Sequence, residues 1–274
     1  MLKRKRENSV KKNGKLAKRE RDNLVKKNKT IKLLKQKFPN EILIEIILFS
    51  KDINTFLKFL QLNKDLNVYL KNSDYLMKRL YFEINEITIE KLKKVSYLKN
   101  VRNLNCGRFG KITDDHLGLF PNLLNLNIGG CKQLTDKAFE NLNGIHTLDM
   151  YYCNQNTITD KAFKNLEGIH ALNMSHCNKI AITDKAFKNL KGIHTLNMPW
   201  CNQNTITDKA FEILKGIRIL DMSHCNQDTI TDKAFKYLKG IHILDMFSCD
   251  QDTITDKAFE NLKVFNKKIN LKRI

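Results

Sequence analysis

Seven cysteines and seven histidines are the residues of this 274-residue chain best suited to nucleophilic or metal chemistry. Six of the cysteines (Cys131, Cys153, Cys177, Cys201, Cys225 and Cys249) follow one another at an almost constant spacing. Two of them close the triplets Ser175-His176-Cys177 and Ser223-His224-Cys225. His146, His170, His194 and His242 recur at a fixed place of their own, with Arg218 taking one rung. A thiol beside an imidazole is the starting point of Cys–His nucleophilic catalysis, and stacked imidazoles are potential metal ligands. Placement argues against both. Consecutive residues of a strand point to opposite faces, so His176 and Cys177 would not share a site. A zinc site wants paired ligands a few residues apart, and the chain has no Cys-x-x-Cys. A catalytic constellation is needed once, whereas these residues return in every unit. The chain is expected not to be an enzyme and to need neither cofactor nor metal. The cysteines are expected to be small buried groups in a ladder, and the histidines a hydrogen-bonded or solvated edge.

The units that place these residues are marked by Thr-Asp pairs beginning at Thr113, Thr135, Thr159, Thr183, Thr207, Thr231 and Thr255. The step from Thr113 to Thr135 is slightly shorter than the rest, and all the later steps are identical. Between the pairs run segments such as Leu123-x-x-Leu126-x-Ile128-x-x-Cys131 and Ile145-x-x-Leu148-x-Met150-x-x-Cys153. Leu148 and Met150 alternate with polar neighbours, which predicts a short strand with one buried face. Thr159 is placed to cap a following helix, with Asp160 at its positive end. Ala162, Phe163, Leu166 and Ile169 fall on one helical face, with Lys161 and Lys164 outside. Gly168, like Gly144, Gly192, Gly216 and Gly240, stands where that helix must stop. One such coil cannot bury its own apolar face, so neighbours must stack.

Period, apolar spacing and the recurring cysteine resemble the cysteine-containing subfamily of leucine-rich repeats over residues 100–264. That resemblance implies an α/β solenoid, curved, with parallel strands on the concave side and helices on the convex side. A target would then meet residues that packing does not dictate. One position after the central strand leucine are Asn127, Asp149, Asn173, Asn197, Asp221 and Asp245, which alternation sends to the open side. Two and three places further on are Tyr151 and Tyr152, Ser175 and His176, Pro199 and Trp200, Ser223 and His224, then Phe247 and Ser248. The candidate target-binding residues are Asp149, Tyr151, Tyr152, His176, Asn197, Trp200, Asp221, His224, Asp245 and Phe247. Aromatic anchors beside a mildly acidic stripe suit a protein or peptide with a basic or hydrogen-bonding face. Local packing along the solenoid edge is the alternative use for the same rings.

The formal net charge of +20 is unevenly spread. Residues 1–37 hold 16 Lys/Arg against 3 acidic residues, a balance of +13 that leaves +7 for the rest. This segment has few apolar residues and is expected to be a disordered basic tail. It would serve as a nuclear-import signal, as a polyanion-binding arm, or simply as a solvated tail. Nucleic acid binding is expected only there, because the strand-face Asn and Asp residues do not favour phosphate. The longest apolar run, Ile42 to Phe49, contains Glu45 and falls short of a membrane span. The N-terminus lacks the apolar core of a signal peptide. A cytoplasmic or nuclear location with reduced thiols is therefore expected.

Residues 38–80 bear no relation to the repeats. Pro39 is placed to open a helix, and Glu41 sits in its first turn. Ile42, Leu43, Ile46 and Ile47 make one face. Asp52 would cap a second helix carrying Ile53, Phe56, Leu57 and Leu60. This stretch resembles an F-box, whose pattern begins Leu-Pro-x-Glu. Phe38 stands at the usual Leu, while Pro39, Glu41, Ile42, Ile46, Leu57 and Leu60 match. Two tryptophans often found late in that motif are absent, with Leu66 and Met77 near their places. An F-box followed by cysteine-containing repeats is the layout of a family of ubiquitin-ligase substrate receptors. The resemblance implies that Phe38, Pro39, Glu41, Ile42 and Ile46 bind the ligase adaptor and through it a cullin, while the repeats hold an unknown target protein. A helical cap on a plain repeat scaffold is the other reading. Residues 81–99 are expected to link or cap the solenoid at its start, and 265–274 to cap its end. The near-identical copies resemble F-box and repeat families expanded in large amoebal DNA viruses and their hosts.

Overall fold

The computed structural model describes residues 81–83, 93, 98–107, 111–178, 181–260, 262 and 269–270. The expectations for the basic tail at 1–37 and the F-box-like segment at 38–80 lie outside these residues, as do most of 81–99 and 265–274. Among the described residues, nine short strands form one parallel sheet in chain order: β1 (Tyr81–Glu83), β2 (Asn103–Asn105), β3 (Asn125–Asn127), β4 (Thr147–Asp149), β5 (Ala171–Asn173), β6 (Thr195–Asn197), β7 (Ile219–Asp221), β8 (Ile243–Asp245) and β9 (Ile269–Asn270). The fold is an α/β leucine-rich-repeat solenoid. Each strand advances one repeat without slipping, so Leu126 pairs with Leu148, and the line continues through Leu172, Leu196, Leu220 and Leu244. In β3 to β7 the middle residue is buried and its neighbours are half-exposed, the alternation expected of a one-faced strand. The ladder starts at β1 and continues to β9, beyond the span marked by the Thr-Asp pairs.

Opposite the sheet, Phe139, Phe163, Phe187, Phe211 and Phe235 are fully buried, one per coil, above the Leu, Met and Ile columns. The connecting elements are shorter than the helices expected there. They are short, such as the α-helix Asp208–Ile213, the 3-10 helix Ala162–Leu166, and the α-helices Asp184–Phe187 and Asp232–Phe235, which run on into the 3-10 turns Lys188–Leu190 and Lys236–Leu238. Phe163, Leu166 and Ile169 stand three apart, a spacing that the 3-10 geometry of Ala162–Leu166 matches. Gly168 then ends the turn at a φ of 79°.

The Thr-Asp pair does more than cap. Thr183 accepts a hydrogen bond from the Lys185 N–H, as a cap should. Asp184 also reaches across to the next coil, where Thr207 donates its N–H to Oδ1 and its hydroxyl to Oδ2, both at 2.8 Å. The same two-point clamp joins Asp114 to Thr135, Asp136 to Thr159, Asp160 to Thr183, Asp208 to Thr231 and Asp232 to Thr255. Charged acceptors make these among the stronger hydrogen bonds in the array.

Candidate functional site

The residues with the most reactive chemistry are locked inside. All seven cysteines are free and buried. From Cys131 to Cys249 each thiol donates to a main-chain carbonyl of the preceding coil at 3.0–3.2 Å, Cys225 for example to Met198. Burial pushes the Cys131 and Cys225 thiols up to about 12 and the Cys249 thiol to about 11. Such thiols are poor nucleophiles, because reactivity belongs to the thiolate. A glutamine ladder runs beside them, with Gln155, Gln203 and Gln227 donating to the carbonyls of Cys131, Cys177 and Cys201. These glutamines carry no apolar signature and sit in polar loop sequence, so nothing in the sequence marks them as buried.

On the strand-entry edge the imidazoles of His146, His170 and His194 stack at 4.7 and 4.5 Å. His242 lies 2.8 Å from the Arg218 guanidinium, which has only hydrogens to give, so its Nε2 accepts. Among the described residues no group of three His, Cys, Asp or Glu side chains is arranged to hold a metal ion.

The ten candidate target-binding residues line the outward face of the sheet and its strand-exit rim. The Asn/Asp column is half-exposed, but part of each side chain is engaged locally. Asp149, Asp221 and Asp245 accept from the N–H two residues on, at Tyr151, Ser223 and Phe247, each at 3.0 Å. This local bond shapes the turn that follows. Asn197 is the exception, since Pro199 two residues later has no N–H to give. Asn197 lines a shallow depression of about 210 Å3 together with Thr147, Ala171, Asn173 and Thr195.

At the rim the backbone turns left-handed at Tyr152, His176, Trp200, His224 and Ser248, with φ between 53° and 61°. In an earlier coil the equivalent place is held by Gly130. Bulky residues pay steric strain in this region, about 1 kcal/mol or more each. What they gain is a continuous row of rings. Trp200 is stacked between His176 (centroids 5.7 Å apart, planes 13°) and His224 (4.1 Å, 11°). Tyr151 meets His176 edge-on, and Phe247 does the same with His224. The Trp200 indole thus has an imidazole neighbour from each adjoining coil and is still 44% exposed.

With the coil geometry known, comparison with other proteins settles the family. The sequence matches the BspA type leucine rich repeat region in six copies, over residues 82–181, 112–242 and 156–273. The chain belongs to the leucine-rich-repeat proteins of this type. The cysteine spacing points to the cysteine-containing subfamily, whereas the matching description is the BspA type; the two agree on a leucine-rich repeat. No curated protein matches this chain. Among solved structures, this leucine-rich-repeat array is similar to a chain of the TLR13–ssRNA13 complex, with 22% identity, a TM-score of 0.53, and coverage of 69% of this chain and 28% of that one. It is also similar to chains of the yeast Rad7–Elc1 complex (17%, TM-score 0.47, 65% and 50%) and the mouse RP105/MD-1 complex (17%, TM-score 0.49, 71% and 39%). At these identities the likeness concerns the fold alone.

Proposed function

We propose that this leucine-rich-repeat protein is a binding module that holds a protein target against the outward face and exit rim of its sheet. The observation that carries this is the distribution of exposed apolar groups. Among the described residues, the large exposed hydrophobics are Tyr151, Tyr152, Trp200, Ile243 and Phe247, and all five lie on that face or rim. A surface that concentrates its apolar groups in one place, with strained backbone beneath them, is the surface expected to meet a partner. Candidate contacts are those rings together with His176 and His224, the free carboxamide of Asn197, and Asp149, Asp221 and Asp245. The fold is typical of binding scaffolds, and the inaccessible thiols agree with a non-catalytic role. No helix among the described residues is long and apolar enough to cross a membrane. In a target complex, Trp200→Ala is expected to cost about 2 kcal/mol of binding free energy. Trp200→Gly provides the stability control, because glycine relaxes the left-handed backbone and offsets the lost stacking. Unchanged target binding in both Trp200→Ala and Asp221→Lys would remove this face as the recognition surface.

We infer further that the segment 38–80 connects the array to a cullin-type ubiquitin ligase through its adaptor, with Phe38, Pro39, Glu41, Ile42 and Ile46 as contacts. The support is the F-box-like pattern of that segment and its position just ahead of the repeats. Changing Ile42 and Ile46 together to Ser is expected to abolish co-purification of adaptor and cullin, with the repeat melting transition unchanged. A plain scaffold capped by this segment would behave oppositely, losing repeat stability and no partner. Pull-down and circular dichroism on the one variant separate these outcomes.

A further inference from the structure

Three sets of hydrogen bonds link successive coils, the clamp from Asp114 onward and the Asn and Gln rungs from Asn154 and Gln155 onward, and all three stop in the same coil. The clamp carboxylates from Asp114 to Asp232 each hold a threonine of the following coil, but no donor among the described residues reaches Asp256. Along the strand-exit loops, Asn154, Asn202 and Asn226 accept the N–H of the residue 24 places on, at 3.0, 2.6 and 2.6 Å. Asp250 takes the last of those bonds and stands at the end of its column. Gln251 closes the glutamine ladder. It is only 6% exposed, and both its Nε2 and its Oε1 lack a hydrogen-bond partner. A buried amide with neither end satisfied is costly, and native proteins seldom keep one without a use.

These three ends meet. Asp250, Gln251, Asp252, Thr255 and Asp256 line one open depression of about 430 Å3, together with Cys249 and Ile254. The sequence along the ladders becomes more acidic toward this point. The column Asn154, Asn178, Asn202, Asn226 ends in Asp250, and the column Asn156, Asn204 changes to Asp228 and Asp252. Asn-to-Asp is nearly isosteric; it keeps an acceptor and adds a charge. Asp221 and Asp245 on the neighbouring strand face each keep a second carboxylate oxygen outside the local turn bond. The field of these groups is felt inside: beyond burial, Asp250, Asp245 and Asp221 add to the upward push on the Cys249 thiol. Ile243 and Phe247, earlier in the same coil, expose apolar surface.

We propose that this terminal coil is where the array reads a basic stretch of its target: an extended peptide whose lysine or arginine enters the depression between Asp250, Asp252 and Asp256 and hydrogen-bonds the Gln251 carboxamide. The inference rests on the reading of the sheet face and rim as a target surface, and it names the class of target. Charge complementarity selects the occupant. Apart from the Gln251 Nε2, whose N–H a main-chain carbonyl of the peptide would take, the unpartnered groups of the site are acceptors, and a guanidinium or ammonium supplies donors only. Apolar residues flanking the cation would rest on Ile243 and Phe247.

The test uses the full chain and a fluorescein-labelled twelve-residue peptide alternating arginine with threonine, followed by anisotropy; the same peptide with glutamine in place of arginine is the control. The arginine peptide is expected to bind and the glutamine peptide to bind at least tenfold more weakly. Asp250→Asn combined with Asp252→Asn is expected to weaken binding about tenfold or more. Gln251→Leu changes no charge, yet it should also cost about tenfold, because a hydrogen bond to a cation is lost. The same variant should melt at the parent temperature or higher, since an unsatisfied amide gives way to a hydrocarbon of similar size. Unaltered binding in Gln251→Leu would reduce the effect to diffuse attraction and overturn the proposal. Tighter binding after Lys272→Ala with Arg273→Ala would also overturn it, by showing that the chain's own end occupies the depression. Trp200→Ala should leave this peptide unaffected. If it abolishes target binding while the arginine peptide fails to bind, the rim stands and the terminal site falls; the reverse pattern spares the terminal site and removes the rim.

Discussion

Replacing Phe187 with Asp should destabilise the protein by at least about 4 kcal/mol. Phe187 is fully buried in the middle of the array. Removing a buried phenyl ring alone costs about 3–5 kcal/mol, and a carboxylate left without a partner adds a desolvation penalty or takes up a proton. Domains are stable by only about 5–15 kcal/mol in total, so one change consumes a large part of the margin. The site of damage matters as well as its size. Each coil contacts only its neighbours, so a broken central coil uncouples the array on its two sides. Thermal melting followed by circular dichroism should show a lower and broader transition. A variant that melts like the parent would mean that the phenylalanine column is not the core.

Alkaline pH should unfold the array, and the cysteine ladder should cause much of the loss. The ordinary thiol value is 9.0, and burial raises Cys225 to about 12 when folded. A raised folded value means that the folded state favours the proton. The resulting stability is fully present below pH 9 and is lost as the pH climbs toward about 12. For Cys225 alone the difference corresponds to about 4 kcal/mol, and Cys131 and Cys249 shift in the same direction. Chemical-denaturation midpoints should therefore fall steeply above pH 9. Thiolate absorbance should appear together with loss of structure, not before it. Cys225→Ala, though less stable at neutral pH, should show a shallower decline. Thiolates appearing in a still-folded chain below about pH 11 would contradict the ladder.

Much of this architecture was legible because each coil repeats one physical problem. Leu148 and Met150 announce a one-faced strand, Phe163 and Leu166 a covering turn, and Gly168 its end. The outward column from Asn127 to Asp245 and the rim rings follow from alternation alone. What escaped the sequence are interactions between coils. Asp184 and Thr207 are separated by almost a full repeat, so Thr-Asp reads as a local cap when the stronger partner sits one coil away. Gln203 reads as loop polarity although it is buried. The strands β1 and β9 carry neither the Thr-Asp pair nor the cysteine, which left the sheet's ends unmarked. Stacking was equally hidden: Trp200 reads in the sequence as an aromatic anchor or an edge-packing ring, and its left-handed backbone and two imidazole neighbours emerge only from the structure. One signal was available and subtle, namely that Pro199 deprives Asn197 of the N–H that its counterparts use.

The unbroken register of the sheet also has a genetic side. Every joint from one Thr-Asp pair to the next uses the same clamp, the same thiol-to-carbonyl bond and the same leucine pairing. A whole repeat gained or lost by recombination between near-identical copies would thus meet compatible joints on both sides. Packing would remain whole while the rim gained or lost one ring and the sheet one Asn or Asp. The length of the contact surface is free to change in whole steps, independently of the core, and a lineage could refit the array to a longer or shorter partner without solving the folding problem again.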